Sequence, residues 1–452
     1  MKPSHVRLIA LLFLLAGAVA ALAQYTDPVY INDLGGPQEF ARRRAELAKQ
    51  AKTGYIILFA RVTTPESNHY REDNDFFYYT GLADPGAVMV MDATKPDATM
   101  IFEPEQSARV KRVYGANLLA MTPEQREKLG YKAVMPVTTL DTMLAFVLGA
   151  ETDLWLRLGF ADKADGARPE VGMDYAEDYG APYGDPTPGD RAAIMKLAER
   201  YPAAHQRDVT PFIDEMRNLK TPQEIAVLRR NGALSAEGIR QAIAHAHPPM
   251  YEYQIEARAA YVFRNGGASG WAYPAIVSSG ENVNTWHYFN DRRQIQPNEL
   301  VVFDFAADLD HMTMDITRTF NISGKFTPEQ AKWYAVDLEC QKAVIALLKP
   351  GNTYEQASDA GKAVFEKNGE GKQWLGFPGH FVGLATHDVL RPKGPIQAGQ
   401  VVTVEPIVEF PDKQMHFRVE DTILITDRGA EILSSGVPKE MTEVEQLVGS
   451  AK

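Results

Sequence analysis

Between residues 39 and 160 the chain alternates between two hydrophobic periods. Glu39–Lys52 repeats its apolar positions at helical spacing, and Tyr55–Ala60 is a short apolar run of the kind a buried strand shows. Ala87–Met91 and Thr99–Phe102 read as further strands, and Thr122-Pro-Glu-Gln125 opens another helix. Such alternation predicts an α/β domain. Residues 161–190 are rich in Asp, Gly, Pro and Tyr without a period, which predicts a long loop.

The second half is punctuated differently. Thr221-Pro-Gln-Glu224 and Thr327-Pro-Glu-Gln330 each supply an N-cap, a proline at the first helical position and the Glu or Gln that closes a capping box; Thr353-Tyr-Glu-Gln356 repeats the box without proline. The helix opened at Pro328 should end near Lys349-Pro-Gly351. Between these helices lie β-rich runs, Ala275–Ser278, Glu299–Ala306, Met314–Ile322, Gln400–Val408 and His416–Ile425. Helices alternating with antiparallel hairpins predict an α+β domain. The expected division is therefore a leader at 1–23, an α/β domain at 24–210, an α+β domain at 211–437 and a tail at 438–452, with the join near Val209–Leu219.

The leader follows from charge and hydropathy. Lys2 and Arg7 precede the apolar run Leu8–Leu15, and Ala21-Leu-Ala23 is a small-residue cleavage pattern, so residues 1–23 read as a signal peptide and the chain as exported to a bacterial periplasm or secreted. Later segments fall short of the ~18 uninterrupted apolar residues of a membrane span. The lone cysteine, Cys340, excludes an intramolecular disulfide and reads as a small core residue. A formal charge of −12 disfavours nucleic acid or an anionic membrane as partner. It suits a protein that gathers carboxylates.

The two β-rich hairpins show why carboxylates would be gathered. If the first turns at Leu309–Asp310, Asp304 stands directly opposite Asp315; if the second turns at Asp412–Lys413, Glu405 stands opposite Glu420. Like charges facing across strands are destabilising, and an ionised carboxylate among Val, Ile and Phe is too costly unless paired or metal-bound. Four carboxylates and one histidine suit Mn²⁺, Co²⁺ or Zn²⁺ at a two-metal site, where ions lie ~3.5–4 Å apart. His380, in Gly379-His-Phe-Val-Gly383 where the glycines allow close backbone approach, is the fifth candidate ligand. His387 and His287 are candidates for substrate contact or proton transfer.

In order and spacing, Asp304, Asp315, His380, Glu405 and Glu420 resemble the five metal ligands of the pita-bread (creatinase/aminopeptidase P) metallopeptidases. The runs Asp315-Ile-Thr-Arg-Thr-Phe320, Gly324-Lys-Phe-Thr327, Gly383-Leu384 with His387-Asp388, and Arg418-Val-Glu-Asp421 are similar to that family's signatures. Phe40-Ala-Arg-Arg43 and Tyr70-Arg-Glu-Asp-Asn-Asp-Phe-Phe-Tyr-Tyr-Thr-Gly81 are similar to its partner domain in aminopeptidase P and prolidase. The resemblance implies a pita-bread catalytic domain and two Mn²⁺ or similar ions bridged by hydroxide. One ion would be held by Asp304, Asp315 and Glu420, the other by Asp315, His380, Glu405 and Glu420. It further implies a peptide substrate with proline second from the N-terminus, Glu405 as proton shuttle, His287, His387 and Arg418 in the catalytic site, and a homodimer or homotetramer.

Three positions depart from the family pattern: Gly376 where a histidine is common, Ile407 where glycine is usual after Glu-Pro, and Glu409 where a tyrosine follows. They leave the ligand set intact and bear on the substrate pocket. Two other expectations stand beside an exported Xaa-Pro aminopeptidase. One is a prolidase restricted to dipeptides. The other is a non-catalytic binding module that kept the fold, against which the intact ligand set speaks.

Overall fold

A computed structural model describes residues 33–62, 70–149, 151–179, 187–389 and 394–451; the leader at 1–23 lies outside them. The chain forms two compact units, one of residues up to Leu158 with Pro188–Val209, the other of Gly159–Thr187 with Thr210–Lys452.

The first unit is a six-stranded mixed sheet. Its strands are β1 (Tyr55–Phe59), β2 (Val88–Asp92), β3 (Met100–Glu103), β4 (Ala133–Pro136), β5 (Asp153–Leu156) and β6 (His205–Asp208), in the order β4-β3-β2-β1-β5-β6. β1 pairs antiparallel with β2 and parallel with β5. Ile57, Val90, Phe102, Leu144, Leu154 and Leu156 fill the core. The Phe40-Ala-Arg-Arg43 run has a concrete task. It lies on the helix Gly36–Ala51, from which Arg43 Nη1 donates to Tyr78 O (3.2 Å) and Arg44 Nη1 to Tyr79 O (2.8 Å). These carbonyls close the short helix Asn74–Thr80, whose end favours cations. Asp73 caps the helix's other end, accepting from the Asp75 and Phe76 amides.

In the second unit, helices Pro222–Ala244, Glu252–Asn265, Pro328–Ile345 and Tyr354–Lys367 flank short antiparallel ladders. The capping boxes at Thr221, Thr327 and Thr353 are all formed. The strands are β7 (Met250–Tyr251), β8 (Gly270–Trp271), β9 (Ile276–Ser279), β10 (Gln294–Ile295), β11 (Leu300–Asp304), β12 (Ala307–Asp308), β13 (Thr317–Asn321), β14 (Val401–Val404), β15 (Ile407–Phe410), β16 (Met415–Arg418), β17 (Asp421–Thr426) and β18 (Gly429–Ile432). The ladders that position the site are β13-β11-β9, β14-β17-β18 and β15-β16. Cys340 is buried, with its thiol toward Gly361 O. Among the described residues no helix is long and apolar enough to cross a membrane.

Two expectations need correction. Residues 168–179 are a helix, Arg168–Tyr179, and another starts at Gly189, so 161–190 is not one long loop. The polar helix is held by specific bonds rather than by an apolar stripe: Arg168 pairs with Asp214 at 2.9 Å and Glu170 caps the Ala167 amide at 2.7 Å. Its segment also belongs to the second unit, not to the domain at 24–210. The tail expected at 438–452 carries a helix of its own. Met441–Leu447 is a helix that buries Val444 and uses Glu445 to hold the Phe326 amide at 3.1 Å.

Candidate metal centre

The register of each hairpin decides where its carboxylates stand. Ile407 pairs with Arg418 and Phe410 with Met415 in one ladder, Val404 with Asp421 in the next. This is the register expected from a turn at Asp412–Lys413. Glu405 and Glu420 sit in the break between these two ladders, where their amides turn away to Pro378 O and Thr317 O. The first hairpin is shifted by two residues from its expected register. Asp304 pairs with Thr317, because the turn centres on Asp310–His311, both with positive φ (53° and 64°), and is closed by a Leu309–Met312 bridge. That is the backbone of a tight two-residue hairpin turn, matched to strand twist. A shift of two keeps the face. Asp304 and Asp315 are thus diagonal rather than directly opposed.

Ligand atoms of Asp304, Asp315 and Glu420 converge within 4.8 Å of one another, as do those of His380, Glu405 and Glu420, and of Asp315, His380 and His387. All five expected ligands therefore meet. Tyr273, which sequence reasoning passed over, places its hydroxyl 2.5 Å from Asp304 Oδ1 and 2.6 Å from Asp315 Oδ1. Arg418 Nη2 donates to Asp304 Oδ2 at 2.8 Å, and Thr317 Oγ1 to Glu420 Oε2 at 2.6 Å. Thr403 Oγ1 serves two neighbours, accepting from the His380 amide (3.0 Å) and donating to Glu405 Oε1 (3.1 Å). The loop carrying His380 approaches so closely that a Cβ on Gly379 would stand 2.2 Å from Thr403 O, and one on Gly383 would meet Asp388.

Electrostatically the cluster is short of positive charge. Burial, then the Asp315 charge, pushes Asp304 up to about 7, and burial with Asp315 and Glu405 lifts Glu420 well above the carboxylate range. At Asp315 and Glu405 burial acts the same way, but the His380 imidazole outweighs it and both are held low. Two buried atoms, Glu420 Oε1 and His380 Nε2, make no aligned hydrogen bond among the described residues, although His380 Nε2 lies 3.2 Å from Glu405 Oε1 and 3.4 Å from Asp315 Oδ2. Orphaned buried donors and acceptors cost about 1–3 kcal/mol each. Hard oxygens converging with one imidazole are the donor set of a divalent cation, so the residues fit the expected metals.

The catalytic candidates surround this cluster. His287, His387, Glu405 and Arg418 line a small pocket of about 90 Å³ with Asp304 and Asp315, and they also line a larger cavity of about 750 Å³. Burial, then Arg418, lowers the His287 pKa. The His387 ring packs 4.0 Å from that of His380, and its Nδ1 lies 2.6 Å from Glu170 Oε1. Glu170 sits in the stretch read as loop, so sequence pattern gave no reason to seek a partner for His387 there. Gly376, Ile407 and Glu409 line the larger cavity too.

Comparison with known proteins agrees with this geometry. Residues 226–427 match metallopeptidase family M24, and residues 40–155 match the aminopeptidase P N-terminal domain. The chain is 29% identical to an Escherichia coli Xaa-Pro aminopeptidase over 92% of its own length and 98% of the relative's. It is 26% identical to a Haemophilus influenzae Xaa-Pro aminopeptidase, over 91% and 97%. A Pyrococcus furiosus Xaa-Pro dipeptidase is 29% identical over 53% of this chain and 70% of that one. Among solved structures, the Pseudomonas aeruginosa aminopeptidase PepP superimposes with a TM-score of 0.75 at 26% identity, covering 91% of this chain and 97% of that one. A Glu-to-Ala variant of E. coli aminopeptidase P in complex with substrate gives 0.74 at 27%, covering 91% and 98%.

Proposed function

The chain is a metallo-aminopeptidase that joins an aminopeptidase P N-terminal domain to a metallopeptidase family M24 domain, and from that premise we propose how it acts: it removes the first residue from peptides with proline second, using two divalent ions, most simply Mn²⁺. The observation that carries the two-ion reading is the pair of orphaned buried atoms, Glu420 Oε1 and His380 Nε2, inside a cluster with too little positive charge. Asp304, Asp315 and Glu420 would hold one ion and Asp315, His380, Glu405 and Glu420 the other. When bound, such ions lower the pKa of water and polarise the scissile carbonyl.

The chain's own residues supply the rest. Tyr273 and Arg418 fix the two aspartates from outside the ligand set, as partners beyond a metal's ligands do. Glu405, which also lines the larger cavity, would carry a proton to the leaving proline nitrogen. Glu170 receives the Nδ1 side of His387, which leaves Nε2 for substrate. His287 and His387 would stabilise a developing oxyanion or meet the proline ring.

Export, on the pattern of residues 1–23, and assembly as a homodimer or homotetramer belong to the same proposal; fractionation and sedimentation test them. The peptidase reading itself is tested by metal-stripped protein restored with Mn²⁺ and offered Xaa-Pro dipeptides and Xaa-Pro-Yaa peptides. Cleavage of the longer peptides is expected. Cleavage of dipeptides alone would replace this reading with a prolidase, and cleavage of neither, with or without metal, would leave a binding module.

A further inference from the structure

The pocket departures point to a charge preference that the family resemblance does not contain. After Glu405 the chain runs straight into β15, so Glu405, Ile407 and Glu409 follow one another at every second residue and all line the larger cavity. At no more than about 3.3 Å per residue, Glu409 on the strand lies up to about 13 Å from Glu405, which precedes it. Its carboxylate is held by one oxygen. Glu409 Oε2 accepts from Trp286 Nε1 (3.2 Å), Asn284 Nδ2 (3.4 Å) and His416 Nδ1 (3.3 Å), whereas Oε1 has no hydrogen-bond partner among the described residues. The side chain is 28% exposed, and the His416 bond keeps it below the usual carboxylate range. Trp286, 41% exposed, lines the same cavity, so an indole surface and a carboxylate edge stand together. Of the two lysines on the lining, Lys413 pairs with Glu329, and Lys372 is exposed.

Which end of a substrate meets Glu409 follows from the two cavities. The carboxylates border a small pocket of about 90 Å³, and the cavity of about 750 Å³ opens from the same catalytic side chains. In an aminopeptidase the single leading residue takes the closed side and the rest of the peptide the open side. An extended peptide also rises about 3.3 Å per residue, so the residue after proline has its Cα about 5 Å beyond the scissile bond, and a long cationic side chain spans the remainder to Glu409. We propose that Glu409 and Trp286 form a subsite for a basic side chain, arginine above lysine, on the third residue of the substrate. A planar guanidinium can bond a carboxylate while lying against an indole, which an ammonium does less well.

The inference rests on the aminopeptidase reading and its test separates the two. Mn²⁺-loaded enzyme is given Ala-Pro-Ala-Ala, Ala-Pro-Arg-Ala and Ala-Pro-Glu-Ala, and the kcat/KM ratio of the Arg to the Glu peptide is measured in the native chain and in Glu409→Gln. A ratio of about tenfold, falling to within twofold in the variant, is expected. Binding of the products Pro-Arg-Ala and Pro-Glu-Ala, followed by calorimetry, should show the same preference without turnover. In the native chain the ratio should also shrink as salt is raised, a result that does not depend on how the variant folds. Cleavage of all three peptides at equal rates, or a ratio unchanged in Glu409→Gln, overturns the subsite and leaves the peptidase standing. Cleavage of none overturns both.

Discussion

The first and second units both bury several carboxylates, and they solve the electrostatic problem in opposite ways. In the first, Asp73, Asp75 and Asp190 meet the guanidinium of Arg157 at 2.7, 2.9 and 2.5 Å. Burial lifts Asp73, but Arg157 opposes it, and the three aspartates hold Arg157 charged. Glu72, which takes hydrogen bonds from Tyr70 and two amides but meets no cation among the described residues, is pushed up to about 8 by burial. In the second unit, four carboxylates share one arginine and the imidazoles of His380 and His387, and leave ligand atoms without hydrogen bonds. A buried carboxylate can be paired, protonated or bound to metal. The third outcome is marked here by orphaned ligand atoms that converge from three or more side chains; single orphaned atoms, such as Glu103 Oε1 and Arg157 Nε in the first unit, do not mark it. Where structure alone is wanted the same unit finishes the work: Asp421 receives Arg318 at 2.8 Å and Lys439 at 2.6 Å.

Substitutions sharpen this contrast. The largest effect is expected from Asp315→Asn, since Asp315 is the aspartate brought near both Glu420 and His380. Activity on Xaa-Pro-Yaa peptides should fall roughly 10³–10⁴-fold, about 4–5.5 kcal/mol of barrier, and near-normal turnover would remove it from the centre. Arg157→Met should destabilise the first unit by about 3–4 kcal/mol in denaturant titration, because it strands buried charge. Glu420→Gln in metal-stripped protein should leave the melting temperature unchanged or higher, since it removes a buried carboxylate whose Oε1 has no hydrogen bond among the described residues. Equal losses in these two variants would erase the distinction.

Smaller effects probe the supporting residues. Glu170→Gln should lower kcat about tenfold with little change in KM, because it weakens the hold on His387 Nδ1 without touching the ligands; a change in KM alone would make Glu170 a substrate contact. For Glu72 the folded pKa lies above its ordinary value of 4.5, so its contribution is full below that value and is lost as pH rises through about 8. Unfolding free energy should therefore fall between pH 5 and 8 more steeply in the native chain than in Glu72→Gln, by roughly 3–4 kcal/mol across that window. Parallel curves would show that Glu72 is ionised when folded.

Much of this was legible in the sequence, for physical reasons that differ by element. The three capping boxes depend on residues close in the chain and leave a pattern, and the clustered carboxylates were legible from two hairpins, with His380 added by its glycine-flanked run and the family resemblance. The second hairpin's register could be read because Pro411 and the polar pair after it fix the turn. The first could not, because Asp310 and His311 adopt positive φ without a glycine to announce it. Tyr273 and Glu170 were invisible for another reason. Each acts through a single long-range contact, to Asp304 and Asp315 or to His387, and neither sits in a periodic run. Ordinary helix signals also failed at Arg168–Tyr179, whose stability comes from the bonds of Arg168 and Glu170 rather than from an apolar face.

The most direct test of the unfinished cluster is the number of divalent ions it takes up. Isothermal titration of metal-stripped protein with Mn²⁺ should show two ions per chain in the native protein and fewer in Asp315→Asn. No uptake, or the same stoichiometry and affinity in both proteins, would contradict the account.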